Sequence, residues 1–228
     1  TLDDYRYQLL EESLPFSFVQ YSLQENNPTL DDFCTKMYVS RSTLSRKMKP
    51  LTTFLKQFNI RISYTTMALV GEENKVRQAL FYLMWLGTRG IVWPFNFKKE
   101  ELSFLKENFK SYFSLNQTFV GKKELDLMLG ISYSRMKKNF YAPYHAAYDL
   151  LFKKSDYYDL TLLDHVPTIP LKCAKGECAH FYFMSLMAPY FTETKGPVLP
   201  KRLSAFAKDK NMILSLGEEF LTYINEEI

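Results

Sequence analysis

A chain of 228 residues with 46% hydrophobic and 24% charged side chains can bury the core of one large domain or two small ones. Three sparse cysteines exclude a disulfide scaffold, and no apolar run reaches the roughly 20 residues that a membrane span takes. The net charge of +4 is unevenly spread: residues 1–32 carry −6, residues 33–71 carry +7 without one acid, and residues 72–228 carry +3 with signs mixed. A 39-residue stretch that holds none of the 25 carboxylates is a positive patch suited to a polyanion.

The N-terminal stretch TLDDYRYQLLEESL is acidic and amphipathic and has no basic region of a signal peptide. Together with the free-thiol cysteine usage, this predicts a cytoplasmic protein. Apolar positions at Leu9, Leu10, Leu14, Phe18, Tyr21 and Leu23 predict one helix over 3–25, or two that meet near Pro15. Asn26-Asn27-Pro28 ends it, and Thr29 caps a short helix over 30–37. Ser40 or Ser42 caps the next helix, whose buried face is Leu44, Met48, Leu51, Leu55 and Phe58. Pro50 predicts a bend in it or a junction of two helices. The β-prone runs at 60–63 and 67–71 flank Tyr64-Thr65-Thr66 and read as a hairpin. Gly-poor, Leu- and Phe-rich helical patterns then cover 72–88, 98–112, 121–138, 144–153, 177–191 and 211–227. Irregular stretches at 154–176 and 192–202 separate the last of these.

Residues 30–49 meet the steric demands of a helix-turn-helix. Counted from Leu30, the apolar slots four, eight, ten, fifteen and nineteen hold Phe33, Met37, Val39, Leu44 and Met48. Slot five, where the helices cross closely, holds the small Cys34, and the ninth, often glycine, holds Tyr38. The outward residues of the second helix are Ser40, Arg41, Ser42, Thr43, Ser45, Arg46, Lys47 and Lys49. Such side chains read base edges and grip phosphates. A hairpin directly after the helix makes a winged helix, with Arg61 and Tyr64 on or near the wing. The stretch at 122–139 imitates this pattern, but its close-packed slot would bury Asp126.

From SRSTLSRKMKPLTTFLKQFNIRIS through VGEENKVRQALFYLMW, the chain resembles the Mga family of Gram-positive transcriptional regulators. The resemblance rests on the Ser-rich helix, the Leu-rich continuation to Leu55, the wing at Ile60–Ser63, Gly71-Glu72, Arg77 and Trp85. It implies a mainly α protein: a winged helix-turn-helix over 1–70, then an α-helical bundle over 71–228 similar to the PTS regulation domains of sugar-responsive antiterminators. It also implies a transcription regulator, an activator of virulence or sugar-linked genes, that works as a homodimer on double-stranded DNA. RNA polymerase and phosphotransferase-system proteins are the further partners it suggests. Family members commonly carry more domains than fit here, so the chain is expected to be a fragment or a shortened relative. Arg135 falls on the arginine that follows the first regulatory histidine by seven residues, and that histidine is Met128 here; the second position falls near Met184. The resemblance therefore makes 122–139 a bundle helix.

Of the three histidines, His145 and His180 are candidate phosphorylation sites if their rings are exposed. Cys173, Cys178 and His180 form C-x4-C-x-H, which lacks the fourth ligand of a zinc site, so neither metal nor cofactor is expected. The aromatic stripes at 81–113 and 181–191 read as bundle core or subunit interface. No nucleophile–base pair or phosphate loop is legible, and the chain is not expected to be an enzyme unless a deep pocket gathers His145, His180 and acids. The rival reading is a protein-interaction module whose basic helix docks an acidic partner.

Overall fold

The N-terminal apolar pattern resolves into two helices. In the computed structural model, described for residues 2–25, 28–110, 119–152 and 158–187, α1 runs over Leu2–Glu11 and α2 over Leu14–Gln24. Pro15 sits in the first turn of α2, where a missing N–H breaks no helical hydrogen bond. Helix α2 then serves two cores. Phe18 and Tyr21 join Phe33, Cys34, Leu44, Met48 and Met67 in one cluster. Phe16, Val19 and Leu23 join the larger cluster that runs on into the later helices.

Helix α3 spans Leu30–Lys36 and α4 spans Arg41–Lys56. Thr29 caps α3 by accepting from the Asp32 N–H at 3.1 Å, and Ser40 caps α4 by accepting from the Thr43 N–H at 3.2 Å. The strands β1, Arg61–Ser63, and β2, Ala68–Val70, pair antiparallel with Arg61 opposite Val70 and Ser63 opposite Ala68. Met67, in the left-handed region at φ 45°, closes the turn between them and drops its side chain into the small core.

Among the described residues five further helices follow: α5, Glu73–Thr88; α6, Ser103–Asn108; α7, Phe119–Lys137; α8, Tyr148–Phe152; and α9, Leu171–Met187. A 3-10 turn at Lys99–Leu102 leads into α6. The mainly α architecture with one small hairpin is thus as the sequence predicts. Residues 1–113 and 118–189 form one compact unit; the second, 114–117 with 190–228, lies outside the described residues. The predicted helix over 211–227 and the irregular stretch 192–202 lie outside them as well.

Of the two alternatives at Pro50, the junction of two helices is not found: α4 runs on through it, with Pro50 and Arg46 both exposed. Two expectations about helix ends need correction. The helix expected over 98–112 is a 3-10 turn and a short α6 that ends at Asn108. The helix expected from 177 begins at Leu171. Gly176, the last residue of the stretch expected to be irregular, sits inside α9 where the chain at 142–144 crosses: a Cβ would lie 2.1 Å from the Ala142 carbonyl oxygen.

The look-alike at 122–139 forms one continuous helix across Gly130-Ile131. Gly130 lets α7 close on the Phe95 ring, 2.5 Å from where a Cβ would stand. Asp126 is not in a core slot; it pairs with Lys99 at 2.8 Å and Lys106 at 2.7 Å. The aromatic stripe over 81–113 is largely core: Trp93, Phe95 and Phe97 pack on one another, and Phe109 meets Phe181 and Tyr182.

Candidate nucleic-acid interface

Helices α3 and α4 meet as a helix-turn-helix must. Phe33, Leu44 and Met48 are at most 1% exposed, and Cys34 is buried where a larger side chain would force the helices apart. Burial also pushes the Cys34 thiol pKa up, so it stays an uncharged packing group. Tyr38 adopts φ 53° with its ring 95% exposed. The left-handed turn explains why this slot favours glycine, and the strain of a side chain there is on the order of 1 kcal/mol.

With Leu44 and Met48 turned inward, the opposite face of α4 is left to solvent. Ser40, Arg41, Ser42, Ser45, Arg46, Lys47 and Lys49 are all exposed, and Thr43 is half-buried at the cap. Ser40 shares its hydroxyl with Ser42 at 2.9 Å and donates to Thr43 at 3.0 Å, which organises the first turn. Arg41 differs from the other cations. Its guanidinium grips Asp31 of α3, with Nη2 2.6 Å from both carboxylate oxygens and Nε 2.9 Å from Oδ1. The hydrogen bond to Asp31 raises the Arg41 pKa. Arg61 is exposed at the start of β1, opposite Val70 and at the end of the hairpin away from its turn. Tyr64 follows β1 in the hairpin turn, and its ring meets Phe18 edge-on at 5.9 Å, tying the hairpin to α2.

Residues 2–85 match the Mga helix-turn-helix domain. This part of the chain is similar to that domain, and the rest of the chain lies outside the match. The match extends past the wing to Trp85, so it takes in α1, α2 and most of α5 as well as the two crossing helices. Two relatives from Bacillus anthracis are the capsule synthesis positive regulators AcpA, 23% identical over 57% of this chain, and AcpB, 20% identical over 59%. The matched segments are 27% and 28% of those proteins, so the chain corresponds to about a quarter of their length. No solved structure matches. The matched domain is a helix-turn-helix, the arrangement that α3 and α4 build here.

Behind the Mga helix-turn-helix, the larger core holds a charged network that sequence reading reached only in part. Arg77 of α5 binds Glu177 of α9 through two bonds of 2.7 Å, Glu73 at 3.0 Å and the Phe140 carbonyl at 3.1 Å. Arg135 of α7 grips the other side of Glu73 at 2.9 and 2.6 Å and lies over the Phe140 ring. Glu177 also accepts from the Ala142 N–H at 2.7 Å. All four side chains are buried. Burial opposes the Arg77 charge, and Glu177 and Glu73 more than offset it, so its pKa lies above the ordinary arginine value. The resemblance pointed to Arg77 and Arg135. Their partners, Glu73 and Glu177, are 104 positions apart in sequence and look like ordinary helix-surface acids.

Of the two candidate phosphorylation histidines, His145 has a side chain 43% exposed, with its Nε2 buried 3.2 Å from Glu72. The exposure set as the condition is not met by His180, which is 5% exposed on α9. Burial, and then the Arg77 charge, hold the His180 pKa well below the ordinary value, so the ring is neutral. The C-x4-C-x-H residues all lie within α9. Cys173 and Cys178 are free thiols, and burial pushes the Cys178 pKa to about 12. No described cluster of His, Cys, Asp and Glu could hold a metal ion, and no described helix is long and apolar enough to cross a membrane.

Proposed function

We propose that this chain regulates transcription by laying α4 in the major groove of duplex DNA. Arg41, Ser42, Thr43 and Ser45 face base edges from the first turn. Ser40, Arg46, Lys47 and Lys49 hold phosphates along the helix, and Arg61 holds one from the wing. The observation that carries this reading is the outer face of α4, which offers four exposed cations and no acid while its inner face is locked into the small core. Residues 1–70 supply the DNA contacts. Residues 71–228 supply the regulatory bundle, through which the protein dimerises and meets RNA polymerase or phosphotransferase-system proteins in the cytoplasm. The activating sign follows AcpA and AcpB, both named positive regulators of capsule synthesis. Virulence or sugar-linked genes of a Gram-positive bacterium are the corresponding targets. A mobility shift against random duplex tests the reading. Retardation at about 50 mM salt that weakens strongly by about 200 mM is expected. An interaction module docking an acidic protein would give no shift at either salt.

Asp31 bears on selectivity. It occupies the Arg41 fork in the free protein and adds a negative charge beside the proposed phosphate track. Asp31→Asn should therefore raise affinity for random duplex by roughly two- to fivefold at low salt, with the gain shrinking as salt screens it. Selectivity at the base read by Arg41 should relax at the same time, because the fork loses its guide. Fluorescence anisotropy with random and selected duplexes reads both; an unchanged affinity at low salt would separate Asp31 from DNA binding.

A further inference from the structure

The charged network bounds a cavity that no part of the DNA-binding reading uses. It has a volume of about 600 Å³ and opens among α5, α7 and α9. Its walls are mostly apolar, with Phe81, Trp85, Met128, Ile131, Phe183 and Met184 foremost. That size and lining are typical of sites for small organic molecules. Met128 and Met184, the two positions where the resemblance would place regulatory histidines, both face this space.

The polar atoms in the lining carry the argument. Ser132 is 1% exposed and His180 is 5% exposed, and both line the cavity. The Ser132 hydroxyl and both ring nitrogens of His180 have no hydrogen-bond partner, nor has the Asn74 side-chain carbonyl, although its amide donates to Tyr148 at 3.0 Å. Buried polar groups are normally satisfied, and leaving one unmet costs free energy. Three such residues around one apolar space leave donors and acceptors for an occupant to meet.

The electrostatics restrict what that occupant can be. Arg77 lines the cavity, but its guanidinium is taken up by Glu73, Glu177 and the Phe140 carbonyl. Lys75 is paired with Glu72 at 2.7 Å. Glu124 also lines the cavity, and burial raises its pKa, so among the described lining residues an anion would meet an acid and no free cation. The imidazole of His180 and the hydroxyl of Ser132 can each both donate and accept, which suits a neutral hydroxyl or amide.

We propose that this cavity is a binding site for a neutral, mostly apolar small molecule, an aromatic or alicyclic alcohol or amide, whose polar end is held by Ser132, His180 and Asn74. Binding is independent of whether α4 reads DNA.

The test uses the full 228-residue chain and two probes of equal ring area, 2-naphthol and the anion 2-naphthoate, followed by saturation-transfer NMR and thermal shift. Saturable binding of 2-naphthol with a raised Tm is expected, and 2-naphthoate should bind about tenfold more weakly or not at all because its charge has no partner. His180→Phe keeps the volume and removes the polar contact. It should weaken 2-naphthol about fivefold and leave naphthalene within about twofold. Ser132→Leu should block both probes by filling the cavity. Equal binding of the neutral and anionic probes to the wild-type chain, or binding untouched in both variants, would mean surface adsorption and overturn the proposal. So would the absence of saturable 2-naphthol binding up to its solubility limit.

Discussion

Arg77→Met should destabilise the folded chain by about 3–5 kcal/mol, seen as a shifted midpoint with an unchanged slope in equilibrium urea unfolding. The change removes one cation from a buried set of two arginines and two glutamates. Glu177 is completely buried and would keep only the Ala142 N–H, while Glu73 would still have Arg135. The penalty therefore comes less from the lost ion pair than from the carboxylate left behind. This account makes a distinguishing forecast: Arg77→Met combined with Glu177→Leu should cost less than Arg77→Met alone, with a coupling of about 1–3 kcal/mol. Arg77→Lys should rescue only part, because an ammonium cannot supply the parallel pair of bonds to Glu177 together with the bonds to Glu73 and the Phe140 carbonyl. Additive costs in the double variant would refute the idea that the four residues act as one unit. The same network fastens α5, into which the Mga match runs, to α7 and α9.

What the sequence made legible follows from how local each constraint is. The helix-turn-helix was readable because its steric slots lie within 20 residues and each admits few residue types: Phe33, Cys34, Leu44 and Met48 all fall into place. The Ser40 and Thr29 caps were readable for the same reason. Pro50 left a bend or a junction open, and the continuous helix removes only the junction. The first turns of α9 fell in a stretch expected to be irregular, and the role of Gly176 there is a crossing with residues 142–144, which no pattern within α9 can show. Tyr64 lies in the hairpin as expected, but the contact of its ring with Phe18, 46 positions earlier, was out of reach of local pattern. The charged network and the cavity beside it were out of reach for the same reason, since their residues come from separate helices. The candidate DNA residues were legible as a list, whereas the Arg41–Asp31 pairing, which divides them, needed coordinates.

The second large effect is on DNA. Changing Arg46, Lys47 and Lys49 together to alanine should flatten the slope of log affinity against log salt by about 2.7, or about 0.9 for each phosphate contact. Between about 50 and 200 mM salt, that is about 40-fold less loss of affinity than the wild type shows. Binding at low salt should weaken for every duplex alike, since phosphate contacts carry no base information. Arg41→Ala should behave differently: a modest change in slope, but a loss of roughly 1–3 kcal/mol confined to the duplex with the preferred base. The contrast depends on place along one helix. Arg41 lies in the first turn, which enters the groove, and Arg46, Lys47 and Lys49 lie along the second and third turns. Folding does not confound the result. All four side chains are exposed, Leu44 and Met48 are untouched, and alanine favours the helix. Anisotropy titrations at several salt concentrations give the slopes, and unchanged thermal unfolding confirms intact variants. A triple variant that keeps the wild-type slope would mean that α4 does not lie on the phosphate backbone, and the basic face would then have to be explained by an acidic protein partner.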